Sequence, residues 1–293
     1  MTQFTVTGAG FLGGLRAELM KTRRRWSPWI VLAVNVVVLI GFSYVIEWVI
    51  YTYVVHASAR VNPAELKMSL HPSGFAYQAL STNLAPVLAT ILGVLVVGNE
   101  FGSGTLKTLF TIRPARLEVL AAKYVALLIA VAIGVVVTFA AAALTSVILA
   151  EVDHVSLNNW PTGGSIVEAM LGALLVWSWW AFFGGTLAIV FRNMAAAIGI
   201  GLAWSLVVED LVLTILGQVG GSFWDAVRKG FPGANASALA GVFRPTQFAE
   251  SASRAGSVPS ASVGAGQATL VLVAYAVVAL IVSFAVVARR DVT

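Results

Sequence analysis

The stretch 119-VLAAKYVALLIAVAIGVVVTFAAAALTSVILA-150 contains one charged residue, Lys123, and no proline. A helix crosses the hydrocarbon core of a bilayer in about 20 apolar residues, so this run can span with length left to tilt or project. A membrane β-barrel would instead show alternating segments of about ten residues. The rest of the chain follows the same pattern. Its 293 residues are 59% hydrophobic and only 11% charged, with a mean hydropathy of +0.89. That is too little charge to cover a soluble surface. The fold class is therefore all-α and polytopic in a membrane.

Working outward, six spans are expected at 28–51, 81–98, 119–150, 165–190, 195–216 and 267–288. Ala57-Ser58-Ala59 looks like a signal cleavage site, but the apolar run from Trp29 to Val55 is about twice the usual 7–15-residue signal core. It is read as a retained span. There is no cysteine, which excludes disulfides, thiolate metal sites and cysteine nucleophiles. The net charge of +5 sits beside apolar runs, and a loop bias explains it better than a nucleic-acid partner. With the N-terminus inside, 12 of the 18 Lys and Arg residues fall on inner segments although the outer loops are longer. The positive-inside rule then places both termini in the cytoplasm, with the chain in the inner (plasma) membrane.

The segment before the opening run, 98-GNEFGSGTLKTLFTIRPARLEVLAAKY-124, is more elaborate than a connecting turn requires. Ser103 or Thr105 can cap a helix. Leu106, Leu109 and Phe110 form a stripe at i, i+3, i+4, while Lys107, Thr108 and Thr111 face elsewhere. Pro114 ends the helix and pushes Arg113 towards extended geometry. A short amphipathic helix over 102–114, hinged at Gly102 and Gly104, is expected on the cytoplasmic side. Two readings of it stand: insertion into a groove of a partner protein, or an interfacial connector resting on headgroups.

Residues 9–26 read as a second interfacial helix. Phe11, Leu12, Leu15 and Leu19 make its apolar stripe, and Arg16, Lys21, Arg23 and Arg24 face water or lipid phosphate. The outer segment 217–266 is rich in Gly, Ser, Ala and Pro, yet it holds Phe223, Trp224, Phe231, Phe243 and Phe248. It is too apolar for a plain linker and is expected to fold back as re-entrant or interfacial helices.

Few chemical motifs stand out. Gly8-Ala9-Gly10-Phe11-Leu12-Gly13 matches GxGxxG but lacks the preceding strand of a dinucleotide site. There is no P-loop pattern, no HExxH spacing and no Gly-x-Ser-x-Gly elbow, so neither ATP hydrolysis, a metal site nor a hydrolase is expected here. Glu209-Asp210 lies in the outer half of the fifth span, where charge is costly. The pair lines a substrate path, meets a basic residue of the outer loop such as Arg228, or marks the end of the span. Trp177 and Trp180 share one face of the fourth span, and either line a path or pack. Gly184-Gly185 and Gly199-x-Gly201 offer small surfaces for close helix packing.

Glu100, Phe101, Gly104-Thr105-Leu106, Leu109, Pro114, Arg116 and Lys123, set between the second and third of six spans, resemble the permease subunits of ABC transporters of the type-2 exporter class. Leu109-Phe110 stands where that family usually has a Leu-Leu step. The resemblance implies a permease half of an ATP-driven exporter with no enzymatic site of its own. ATP and Mg would be bound by a separate ATPase subunit, present in two copies. A second permease half, identical or related, would complete the path, and membrane lipids would surround it. The helix at 102–114 would be a coupling helix, with Glu100, Gly104, Thr105, Leu106, Lys107, Leu109, Phe110, Arg113 and Arg116 as the coupling residues. Glu100 would orient that helix by pairing with Arg113, Arg116 or an N-terminal arginine. Trp177, Trp180, Glu209 and Asp210 are the candidates for the path. Two alternatives remain: an ion-coupled secondary transporter using Glu209 and Asp210, or a non-transporting scaffold or immunity-type protein.

Overall fold

Long apolar runs without proline become helices because each backbone N–H and C=O must find its partner within the segment when no water is present. In the computed structural model, residues 11–54, 70–81, 84–102, 116–212, 215, 222–244 and 263–289 are described, and their regular structure is helical. In chain order these are α1 (Phe11–Arg24), α2 (Trp26–Tyr53), α3 (Phe75–Leu80), α4 (Ala85–Gly102), α5 (Arg116–Val152) and α6 (Gly163–Phe191). Then come α7 (Met194–Leu202, continuing through wider π-helical turns at Ala203–Val212), α8 (Ser222–Gly230), α9 (Pro232–Gly241) and α10 (Ala265–Arg289). Among the described residues four helices, α2, α5, α6 and α10, are long and apolar enough to cross a membrane. The apolar parts of α4 and α7, Ala85–Asn99 and Met194–Glu209, are shorter. The segment 103–115, which holds most of the expected coupling helix, lies outside the described residues.

The ends of α6 show why the chain turns where it does. Thr162 caps the start, its hydroxyl accepting from the Ser165 amide at 3.3 Å. At the other end Arg192 adopts a left-handed conformation, φ 52°, and its N–H returns to the Ala188 carbonyl. Asn193 then caps α7 by accepting from the Ala196 amide at 3.2 Å. Two adjacent residues thus stop one helix and start the next, and α7 is folded back onto α6.

α6 is the central helix, packed against α4, α10, α7 and α5. Its closest approach is to α4. A methyl group on Gly93 would collide with the Ala181 carbonyl, and one on Gly184 with the Thr90 carbonyl. The two antiparallel backbones therefore touch at consecutive turns, which only residues without a Cβ permit. Gly201 of α7 meets Thr90 at the same crossing, and Gly185 meets Val97 and Tyr124. Gly199, on the other hand, faces open space.

Polar side chains tie the other helices in. Asn35 of α2 donates to Thr138 of α5 at 2.9 Å, and the Tyr44 hydroxyl donates to the Ala142 carbonyl at 3.0 Å. Tyr124 of α5, Thr186 of α6 and Ser283 of α10 share hydroxyl contacts at 2.6 and 2.9 Å. In an apolar surround, such bonds join helices that have no hydrophobic reason to stay together.

Candidate functional site

The most organised polar structure is at the end of the bundle that carries α1. α1 has one acidic side chain, Glu18, on its buried face. Lys21 Nζ donates to Glu18 Oε1 at 2.8 Å, and Lys123 Nζ of α5 donates to Glu18 Oε2 at 3.2 Å. Glu18 and Lys123 are 6% and 5% exposed, so this pair is enclosed where α1 lies across α5. A buried carboxylate holds its charge at low cost only when paired and hydrogen-bonded. Here each oxygen has an ammonium donor. Nearby, Arg25 stands at the break between α1 and α2 with its guanidinium against the side-chain amide of Asn99 on α4. Trp29 Nε1 donates to the Arg23 carbonyl at 3.0 Å, closing the same corner. α1, α2, α4 and α5 are therefore linked at one end.

Two of the candidate coupling residues fall on described helices at that end. Glu100 lies in the last turn of α4 and Arg116 opens α5, both without described side chains. Gly104, Thr105, Leu106, Lys107, Leu109, Phe110 and Arg113 lie outside the described residues.

Higher in the bundle, α6 presents three indoles. Trp177, Trp179 and Trp180 are 6%, 5% and 1% exposed. Trp180 packs against Trp179 and Phe183, with ring centroids 5.9 and 6.1 Å apart. Trp177 faces the other way, into the wall of a cavity of about 310 Å3 bounded by α1, α2, α4 and α5. The structure thus divides the two candidate path tryptophans between a packed cluster and a cavity wall. The indole N–H groups of all three lack an acceptor among the described residues.

The Trp180 cluster continues to Glu209. Phe183 lies 6.0 Å from Trp204, and Trp204 stacks on Phe231 at 6.5 Å. Trp204 Nε1 donates to Glu209 Oε1 at 3.1 Å, and the Gly233 amide donates to Oε2 at 2.6 Å. Gly233 is in the first turn of α9, so a carboxylate that is 6% exposed sits on free backbone donors at a helix N-terminus. The side chain of Asp210 lies outside the description. Tyr275 of α10 donates to the Gly230 carbonyl at 3.1 Å, and Leu239 packs near Gly172 of α6. Counted along α10 from Ala265, that is a depth of about 15 Å at 1.5 Å per residue.

Several of these residues carry no obvious signal in the sequence. Glu18 reads as one polar residue on a basic amphipathic helix, although its i, i+3 spacing to Lys21 is visible. Asn35 in the first span was a discoverable intramembrane polar residue. At the end opposite α1, Asp153 contacts His71 at 3.1 Å and accepts from Trp48 at 3.4 Å, while Gln78 donates to Glu47 at 2.6 Å. These pairs join segments far apart in sequence, and no local pattern marks them.

Residues 14–208, well over half of the chain, match a family described as ABC-2 family transporter protein. Among curated proteins none matches the chain. The matched region runs from α1 through the first π-helical turns of α7 and so includes the Glu18–Lys123 assembly and the α4–α6 crossing. The chain belongs to the ABC-2 transporter permease family, as a multi-pass membrane subunit of an ABC transporter that is not itself the ATPase.

Proposed function

We propose that this permease subunit is one half of an ATP-driven exporter and is driven through its α1 end by two copies of a separate ATPase. ATP and Mg belong to those subunits. In this reading α4 and α7 cross the membrane beside the four longer helices, giving six spans. Both termini face the cytoplasm of a cell bounded by the inner (plasma) membrane. Residues 102–114 form a coupling helix seated in a cleft of the ATPase, and a second permease half, identical or related, completes the path.

The observation that carries the reading is the buried Glu18–Lys123 pair. The segment 103–115 joins α4 to α5 directly. α5 is tied to α1 by Glu18–Lys123, and α4 to the α1–α2 junction by Asn99–Arg25. A push on that segment therefore reaches four helices as one body, as rigid-body alternation of two halves requires. Glu209 supports packing over ion coupling, since its carboxylate already accepts from Trp204 and Gly233. Trp177 is the better candidate for a path wall, and Trp180 for bundle packing.

The test is co-purification from native membranes. The wild-type chain is expected to retain an ABC ATPase. Leu109→Glu is expected to lose it while keeping the wild-type thermal midpoint. A wild-type chain that retains no ATPase, or a Leu109→Glu chain that retains it fully, would refute the reading.

A further inference from the structure

The cavity beside Trp177 lies between α1, α2, α4 and α5, and its volume of about 310 Å3 is in the range of small-ligand sites. Leu32, Leu88, Leu92, Ile129 and Ile133 make most of its wall apolar. Apart from Arg23 and the Trp177 indole N–H, the polar side chains in the wall are committed elsewhere. The Asn35 amide donates to Thr138, and the Thr22 hydroxyl donates to the Glu18 carbonyl. Such a space offers water few partners, while leaving it empty forfeits dispersion contacts along the whole lining. The apolar solute that a bilayer supplies is an acyl chain.

Charge supplies the rest of the specificity. Arg23 is in the lining, is exposed, and is the charged residue there among the described residues. It sits on α1, just before the first span begins at Trp26. A guanidinium matches phosphate geometry and pairs with it through parallel N–H donors. We propose that this cavity binds one membrane lipid with an anionic phosphate headgroup, its acyl chain filling the space between α2 and α5 and its phosphate paired with Arg23. The site is built within one chain and does not rest on coupling to an ATPase.

The test uses bromine as a contact quencher of indole fluorescence. The purified full chain, in mixed micelles, is titrated with dibromo-acyl phosphatidylglycerol or dibromo-acyl phosphatidylcholine. The wild type is expected to show a saturable quenching component that is smaller in Trp177→Phe, the remainder coming from Trp29, which also lines the cavity. Half-saturation should come at about five-fold lower mole fraction for phosphatidylglycerol, the scale of one partly exposed ion pair. Arg23→Gln should keep the component and lose that preference. Gly134→Leu should remove the component by filling the space. A Cβ at Gly134 meets Trp177 and Leu32 only at 3.7 and 3.8 Å, so that helix can accept a side chain. Quenching requires the brominated chain, so free phosphate cannot mimic it. Equal quenchable fractions in wild type and Trp177→Phe would overturn the proposal, as would equal half-saturation for the two headgroups in the wild type.

Discussion

Glu18 is where a single side chain decides most. Replacing it with Gln takes the Glu18 carboxylate away from the enclosed Lys123, and breaking a buried pair by removing one partner costs about 3–5 kcal/mol. Lys21 is partly exposed and can turn to water, so the lower end is expected. Glu18→Gln should therefore lower the thermal midpoint of the purified chain clearly, and Lys123→Met should do the same. The double variant Glu18→Leu with Lys123→Met should recover much of the loss, because it removes both charges. A thermal unfolding series over the three variants reads the coupling. Glu209 makes a second, local prediction. Glu209→Ala removes the acceptor for Trp204 and Gly233, about 1–3 kcal/mol per stranded donor. Hydrogen exchange at the Gly233 amide should accelerate, with little change in α4 or α6. These residues also show where sequence reading stops. Lys123 counts as an inner-loop charge by its position, but it lies seven residues into α5, about 10 Å along the helix, and α1 covers it. Only the docking of α1 makes it a buried ion-pair partner. Glu209 was visible as a costly intramembrane charge, while its acceptor role depends on α9 folding back to it.

At the scale of elements, the α4–α6 crossing fixes the centre of the bundle. Gly184 and Gly185 stand out in the sequence as a small-residue pair, and both lie at the contact. Gly93 attracts no notice as a lone glycine within Leu and Val, yet its partner is a backbone carbonyl. Gly93→Ala and Gly184→Ala should each be destabilising by about 1–3 kcal/mol or more, because the atom in the way is main chain and cannot rotate aside. Gly199→Ala, with nothing within 4 Å, should be neutral or slightly stabilising through helix propensity. Thermal midpoints and monodispersity of the three variants separate these outcomes. The long apolar runs gave up their helices readily because hydropathy and the absence of proline determine them. The helices α8 and α9 follow from aromatic content only in outline. Their seating depends on the Tyr275–Gly230 and Leu239–Gly172 contacts, which are not local.

For the whole molecule, α2 and α10 leave much of their apolar surface outside the bundle: Ile30, Val37 and Phe42 on one, Leu270, Val278 and Ile281 on the other. Lipid or a second permease half would cover these faces. In the proposed mechanism the α1 end receives the force and the linked α1, α2, α4 and α5 transmit it. The chain has no cysteine, so one introduced thiol gives an unambiguous contact report. The most direct measurement is photo-crosslinking from Lys107→Cys, labelled with a thiol-reactive photo-probe in native membranes and resolved by mass. The account predicts a specific adduct with an ABC ATPase subunit, lost when Leu109→Glu is added. Adducts with lipid alone, from a chain that still folds, would contradict it.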